Sequence, residues 1–365
     1  MPLRCGIIGL TNSGKTTLFN CMSNTRAESS SAAFSATRPN LGIVHVPDKR
    51  LYKLAELQPT QKIVHTTIEF VDIPGLAKSS AAGGGQQNRF LADVRNTDAL
   101  LHVVRCFDDD ALPHVDGCID PVRDIETVNL ELQVKDLESV EKKLEKAEKL
   151  LRIGDKEAGK LAGVLRVYKE HLESFSPART VPLDSSERQY AGDLSLLSDK
   201  PVIYICNVDE ASAVTGNKYS RQVERALEGE NAEVLNVAAA VEADIAELDS
   251  EDDRMAFLRE AGLSEPGVNR LIRAAYRLLD LKTFFTMGPK EVRAWTIRSG
   301  MTAMQAAGVI HSDMERGFIR AEVIRYDDFV ALGSEAACRN KGKLSVEGRN
   351  YVVNDGDMLN IRFNV

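Results

Sequence analysis

The chain has no C-x-x-C pair, no surplus of positive charge, and no apolar run near the roughly eighteen residues a membrane span requires. Its six cysteines (Cys5, Cys21, Cys106, Cys118, Cys206 and Cys338) are scattered. That spacing excludes a disulfide framework and an ordinary zinc site. Cys5, Cys106 and Cys206 sit in or beside apolar runs and read as core residues. No apolar leader precedes the first expected strand, so a secretory signal is not expected and the cytoplasm is the expected compartment. Lys and Arg number 46 against 54 Asp and Glu, a net charge of −8. Indiscriminate nucleic-acid binding is therefore disfavoured, and no DNA or membrane partner is expected; a local basic face stays open. What remains is ordinary globular composition over 365 residues, enough for two or three domains.

Gly9 to Thr16 reads G-x-x-x-x-G-K-[ST], after the apolar run Cys5–Ile8 and before helical spacing at Leu18, Phe19 and Met22. This is the strand, loop and helix context of a phosphate-binding loop. Gly9 and Gly14 let successive N–H groups turn toward phosphate oxygens, and the helix N-terminus adds favourable potential. Asn12, Ser13, Gly14, Lys15, Thr16 and Thr17 are the phosphate-binding candidates. Lys15 reaches the β- and γ-phosphates, and the Thr16 hydroxyl is a Mg²⁺ ligand.

Strand patterns recur at Leu41–Val46, Lys62–Val71, Ala99–Cys106, Pro201–Cys206 and Glu233–Ala238, with helices at 49–57 and 88–94. Alternation of this kind predicts an α/β fold with a mostly parallel sheet covered on both faces. Leu130, Leu137, Leu144 and Leu151 repeat every seven residues, flanked by Val134, Val140 and Ala147. With Leu161, Leu165, Tyr168 and Leu172 on a following helix, they predict an inserted α-helical hairpin, a coiled coil some 40–50 Å long at about 1.5 Å per residue. It is either a scaffold or a partner-binding arm. The end of the chain changes to short strands at Ala294–Ile297, Gly317–Ile324 and Tyr351–Val353, a helix at 301–310 and a tight turn at Asn354–Asp357. The expected domains are 1–124 with 198–281 for nucleotide binding, 125–197 for the hairpin, and a C-terminal α+β module at 282–365.

Two further elements complete a nucleotide site. Asp72 and Gly75, in D-x-x-G after a strand, can hold the Mg²⁺ shell and sense the γ-phosphate. Asn207-Val-Asp-Glu210 follows the next buried strand, where GTPases carry N-K-x-D. The Asp of that motif accepts from guanine N1–H and the 2-amino group, neither of which adenine offers. Glu210 in its place points away from guanine specificity, without by itself establishing ATP.

G-L-x-N-x-G-K-[ST]-T at 9–17, D-I-P-G-L at 72–76, Asn88-Arg-Phe-Leu91, D-P-V-R-D-I at 120–125 and N-V-D-E at 207–210 occur in one order over nearly the whole chain. Together they resemble the YchF subfamily of Obg-related P-loop NTPases, the Obg-like ATPases. Ala294-Trp-Thr-Ile297, Ile310-His-Ser-Asp313, Phe318–Ile324 and Asp355-Gly-Asp357 resemble that family's TGS domain. The resemblance implies ATP binding in preference to GTP, slow hydrolysis and association with the ribosome, at its large subunit. It also implies adenine contacts from Asn207, the Val208 backbone and Glu210, and places Ala238–Glu242 near the base.

Ras-like proteins put a Gln after D-x-x-G to orient the attacking water; here the position is Leu76. His114, in Leu112–Gly117, is the catalytic candidate, since an imidazole can polarise water near neutral pH and the family pattern has a His there. A surface-loop histidine is the plainer reading, and Gln86 and Gln87 are weaker candidates. The family's first switch carries a Mg²⁺-binding Thr where this chain has Ala36, within Ala33–Asn40. Either Thr37 takes over that role or the ion keeps a water. Ser35 stands where the family often has Cys, so redox control there is doubtful. The expected function is an ATP-driven switch. Alternatives are a GTPase in ribosome assembly, tested by base preference, and a non-hydrolysing nucleotide-gated adaptor, which Leu76 makes credible. The module at 282–365 has 12 Lys and Arg against 10 Asp and Glu. That weak bias is compatible with RNA contact but equally with a protein-binding or structural module.

Overall fold

The buried apolar runs become the centre of a sheet, and the loops leaving them meet at one edge. The computed structural model describes residues 3–23, 39–58, 60–76 and 85–364. In chain order the elements begin β1 (Arg4–Ile8), α1 (Lys15–Ser23), β2 (Asn40–His45), α2 (Lys49–Leu57), β3 (Ile63–Val64), β4 (Thr67–Asp72), α3 (Gly85–Arg95), β5 (Ala99–Cys106), α4 (Pro121–Arg152), α5 (Lys156–Glu173) and α6 (Ser185–Gln189). They continue with β6 (Val202–Val208), α7 (Lys218–Ala226), β7 (Glu233–Val237), α8 (Ala239–Glu247), α9 (Glu251–Glu260), α10 (Gly267–Leu278), β8 (Leu281–Met287), β9 (Val292–Arg298), α11 (Ala303–Ile310), α12 (Ser312–Arg316), β10 (Phe318–Arg325), α13 (Tyr326–Leu332), α14 (Glu335–Asn340), β11 (Leu344–Glu347) and β12 (Asp357–Phe363). Ala36 and Thr37, with Pro59, Gly83 and Gly84, lie outside the described residues.

Two compact units result: 1–42 with 69–271, and 43–68 with 272–365. In the first, the strand order is β2-β4-β1-β5-β6-β7, and β4, β1, β5, β6 and β7 pair in parallel. Every residue of β5 and β6 is buried, which is why their sequences are mostly apolar rather than alternating, His102, Arg105 and Asn207 being the polar exceptions. Parallel pairing brings the carboxyl ends of β1, β4, β5, β6 and β7 to one edge, where open α/β sheets bind ligands.

The helical hairpin is present, but its seam differs from the heptad reading. Val140, Leu144 and Ala147 are buried with Leu165, Tyr168 and Leu172, whereas Leu130, Val134 and Leu151 are exposed. The cause is that α4 serves two cores in succession. Its first half buries Ile125, Val128 and Leu132 with Leu100 and Tyr204 of the sheet. Its second half turns a different face to α5. At 32 residues α4 spans about 48 Å. Asp136 joins the two regions: its carboxylate accepts from Leu197 N, Ser198 N and Ser198 Oγ, each at 2.7 Å.

In the second unit, the sheet order is β11-β10-β12-β8-β9-β3. Residues 43–68 belong to this unit, whereas the sequence reading assigned them to the nucleotide-binding segment. Leu51 and Leu54 of α2 are wholly buried with Phe285, Val292 and Phe329, and β3 pairs with β9. The expected single strand at 62–71 is two strands, β3 and β4, because it serves both units. Tyr351–Val353 contributes only an isolated bridge, Thr302 to Val352. No helix among the described residues is long and apolar enough to cross a membrane.

Candidate functional site

The phosphate loop leaves β1 and re-enters the fold as α1. Gly14 has φ +96°, and a Cβ there would lie 2.2 Å from Asn207 Nδ2, so both the turn and the neighbour demand glycine. Asn12 also takes a left-handed backbone, φ 63°, and its side-chain amide donates to Pro113 O at 3.2 Å. Ser13 is buried, with its hydroxyl making no hydrogen bond. Thr17 is half-buried in the first turn of α1.

Lys15 is buried, and its ammonium donates to Leu10 O at 2.6 Å. Burial lowers its pKa from the ordinary 10.5 to about 8, opposed by the charge of Asp72. Asp72 ends β4 and accepts from Thr16 Oγ1 at 2.9 Å. Its other oxygen is buried without a hydrogen bond. Burial raises the Asp72 pKa, opposed by the Thr16 bond and the Lys15 charge. A hydroxyl and a carboxylate with an unused oxygen are the hard donors that suit Mg²⁺, so Thr16 and Asp72 fit that ion. Gly75 then passes close by: a Cβ on it would come within 2.8 Å of Lys15 Nζ and 3.1 Å of Thr11 N. Leu76 N donates to Gly9 O at 3.2 Å, while the Leu76 side chain lies in the core with Ile8, Leu10 and Ile73. The position after D-x-x-G is thus filled by a packing residue.

Asn207 ends up inside β6, which ends two residues later than the expected strand. Its Nδ2 donates to Ser13 O and its Oδ1 accepts from Ala239 N, both at 3.0 Å. One amide therefore ties the phosphate loop to the start of α8. Asn207→Ala strips partners from two buried backbone groups and is expected to lower unfolding free energy by about 1–3 kcal/mol, read by denaturant titration. Val208 is buried in the core, and Glu210 is exposed on the loop that follows.

Sequence reasoning missed how this loop is braced. Asp209, between Val208 and Glu210, accepts from Ser212 N at 3.1 Å and from Asn217 Nδ2 at 3.3 Å. Asn217 caps α7 and donates to Cys106 O at 2.7 Å, joining the ends of β5 and β6. The cap pattern at Asn217–Ser220 was the signal that could have found it. Glu242, expected near the base, is buried and accepts from Gly267 N at 2.7 Å; it caps α10 instead.

His114 is well inside its loop rather than on the surface. Its Nδ1 accepts from Asp116 N at 3.1 Å, which leaves the neutral ring's proton on Nε2, aimed at Asp124 Oδ2 at 2.8 Å. The side chains of His114 and Asp124 are each 5% exposed. The neighbouring Pro113 touches Asn12, so this loop adjoins the phosphate loop. Gln87 is turned away, bonded to Glu131.

Residues 4–153 match the family model of the 50S ribosome-binding GTPases, and residues 281–364 match YchF-GTPase_C, described as a protein of unknown function. A protein of Bacillus subtilis named ribosome-binding ATPase YchF is 47% identical over all of both chains. The chain belongs to the YchF family. The YchF of Escherichia coli O157:H7, given the same name, is 46% identical, again over the full length of both. A solved structure of the YchF GTPase of Schizosaccharomyces pombe superposes with a TM-score of 0.86 at 32% identity, covering 99% of this chain and 98% of that one. The bacterial relatives match this chain over its full length and the fission-yeast structure matches its fold, and their names differ on the base.

Proposed function

We propose that this chain is an ATP-binding, slowly ATP-hydrolysing switch that associates with the large ribosomal subunit in the cytoplasm. The observation that carries the reading is the full-length similarity to proteins named ribosome-binding ATPase. The site is consistent with it. Gly14, Lys15 and the α1 N-terminus cradle the phosphates, and Gly75 brings the second loop against Lys15 so that one γ-phosphate can engage both. Thr16 would ligate Mg²⁺ and Asp72 would hold its water shell, where the ion would supply positive charge against the transferred phosphoryl group. Thr37 is the second candidate for that shell, in place of Ala36.

Buried Leu76 leaves the water without the usual side chain, and His114 is the group assigned to it. Because both ring nitrogens are engaged, this role requires the loop at 107–120 to turn the ring from Asp124 toward the γ-phosphate. Turnover is slow for that reason. Single-turnover phosphate release, with and without ribosomes, tests hydrolysis itself; none in either case favours an adaptor that binds without cleaving.

The fission-yeast relative is named a GTPase, and that name favours GTP hydrolysis as the second reading. Glu210 separates the two. Glu210→Asp is expected to raise GTP affinity relative to ATP by about tenfold, within the 1–3 kcal/mol that a bidentate base contact discriminates. Isothermal titration with both nucleotides measures it. Wild-type protein binding GTP at least as tightly as ATP sinks the adenine assignment.

A further inference from the structure

The segment that links α5 to β6 folds back on the base of the hairpin. Asp184 caps α6, and Ser195 takes a left-handed backbone, φ 47°, beyond which Leu196 and Leu197 are buried. Against α5 this segment leaves a cavity of about 160 Å³, lined by Tyr168, Arg188, Ser195, Leu196, Asp199 and Lys200 among others. Tyr168 packs in the hairpin core with Leu165 and Leu172 and is 1% exposed. Its hydroxyl reaches the cavity near the charges of Asp199 and Arg188, yet has no hydrogen-bond partner among the described residues. A phenol so buried ordinarily finds one. The charged groups around it are only partly engaged. Arg188 donates from Nε to Leu183 O, from Nη2 to Arg179 O and Val181 O, and from Nη1 to Asp199 Oδ1 at 3.0 Å. One N–H of Nη1 is left over, and so is Asp199 Oδ2. Lys200 Nζ donates to Arg95 O and Thr97 O at the end of α3, which leaves it a third N–H.

Burial raises the pKa of Asp199, opposed by the charges of Arg188 and Arg179, and lowers that of Lys200, opposed by the charge of Asp98. Each shift marks a charge short of its counter-charge: the carboxylate lacks a cation and the ammonium lacks an anion. A single molecule carrying both signs answers both needs. Size narrows its class. A cavity of about 150 Å³ holds a molecule as large as benzene, whereas drug-sized ligands occupy about 300 Å³ or more. We propose that this cavity binds a free α-amino acid with a short side chain. Its ammonium sits on Asp199 Oδ2, and its carboxylate accepts from Lys200, the remaining Arg188 N–H and the Tyr168 hydroxyl. Ala191 and Leu196 give its side chain an apolar wall.

The test is isothermal titration of the full chain with L-alanine, L-serine, L-valine, L-aspartate and L-leucine, which span about six to nine non-hydrogen atoms. At least one should bind with a Kd on the order of 1 mM or tighter. Asp199→Asn keeps the shape and an acceptor for Arg188 but removes the charge, and should weaken that ligand about tenfold or more. Tyr168→Phe removes only the hydroxyl and should weaken it about three- to tenfold. The matching amine and the matching carboxylic acid each lack one of the two charges, and each should bind about tenfold or more weakly than the amino acid. Thermal midpoints without ligand accompany both variants. If Asp199→Asn lowers its midpoint, Tyr168→Phe decides, since phenylalanine fills the same packed space. No binding by any of the five leaves the cavity to water and overturns the proposal. So does an affinity unchanged in both variants, which places the binding elsewhere on the chain. An amine or an acid that binds as tightly as its amino acid overturns the assignment of a zwitterion.

Discussion

Lys15→Met is expected to slow ATP turnover by about 10²–10³-fold while raising the thermal midpoint measured without nucleotide. The two effects share one cause. The ammonium is held in a buried position by a single carbonyl, Leu10 O, with Asp72 as the nearby counter-charge. Its depressed pKa records that burial disfavours the charged form. The sign follows from proton counting. Between about pH 8, the folded value, and 10.5, the ordinary one, the unfolded chain binds more protons at this lysine. The contribution of Lys15 to stability therefore rises with pH across that window and is least favourable below it. Methionine removes the charge, the penalty and the pH dependence together. It also removes the cation that stabilises charge on the γ-phosphate, and the loss of one such group slows turnover by about 10²–10³-fold. Differential scanning across pH 7.5–10 (a span of roughly the linkage window) and a phosphate-release assay are the checks. A variant with a lower midpoint would contradict the buried-charge account, and one with undiminished turnover would remove Lys15 from the mechanism.

His114→Gln is expected to reduce the rate constant for hydrolysis by about 10²–10⁴-fold with KM for ATP nearly unchanged, the range for loss of a general base. Glutamine is the informative replacement. It can still donate an N–H to Asp124, so the buried carboxylate keeps a partner and the fold keeps its midpoint. Alanine would leave Asp124 unpaired by His114 and confound rate with stability. A glutamine variant that turns over at the wild-type rate shows the histidine to be a structural prop for the start of α4, which is how its two hydrogen bonds read at face value.

Local motifs carried much of the site, and long-range packing carried the rest. Gly14, Lys15, Thr16, Asp72 and Gly75 were legible because the constraint on each is local: a turn, a strand end, a close approach. Asn207 was legible as a position but not in its role, since its partners, Ser13 and Ala239, are distant in sequence. The pairing of His114 with Asp124 was hidden behind the surface-loop look of Leu112–Gly117. In the fold, the strands and the hairpin followed from apolar periodicity. The heptad count misassigned Leu130 and Val134 because one helix changes the face it buries midway, which a fixed seven-residue repeat cannot represent. Residues 43–68 went to the wrong unit for a related reason. Leu51 and Leu54 are a good amphipathic pair, but periodicity does not say which core receives them. Nor could composition find the cavity beside Tyr168, because α5 and the segment before β6 meet there only in the fold.

The most direct test of the switch is co-sedimentation of the chain with ribosomes under ATP, GTP or ADP, each with Mg²⁺. Retention should be greatest with ATP, fall with ADP, and gain little from GTP. Equal retention under all three nucleotides, or retention driven by GTP, would contradict it.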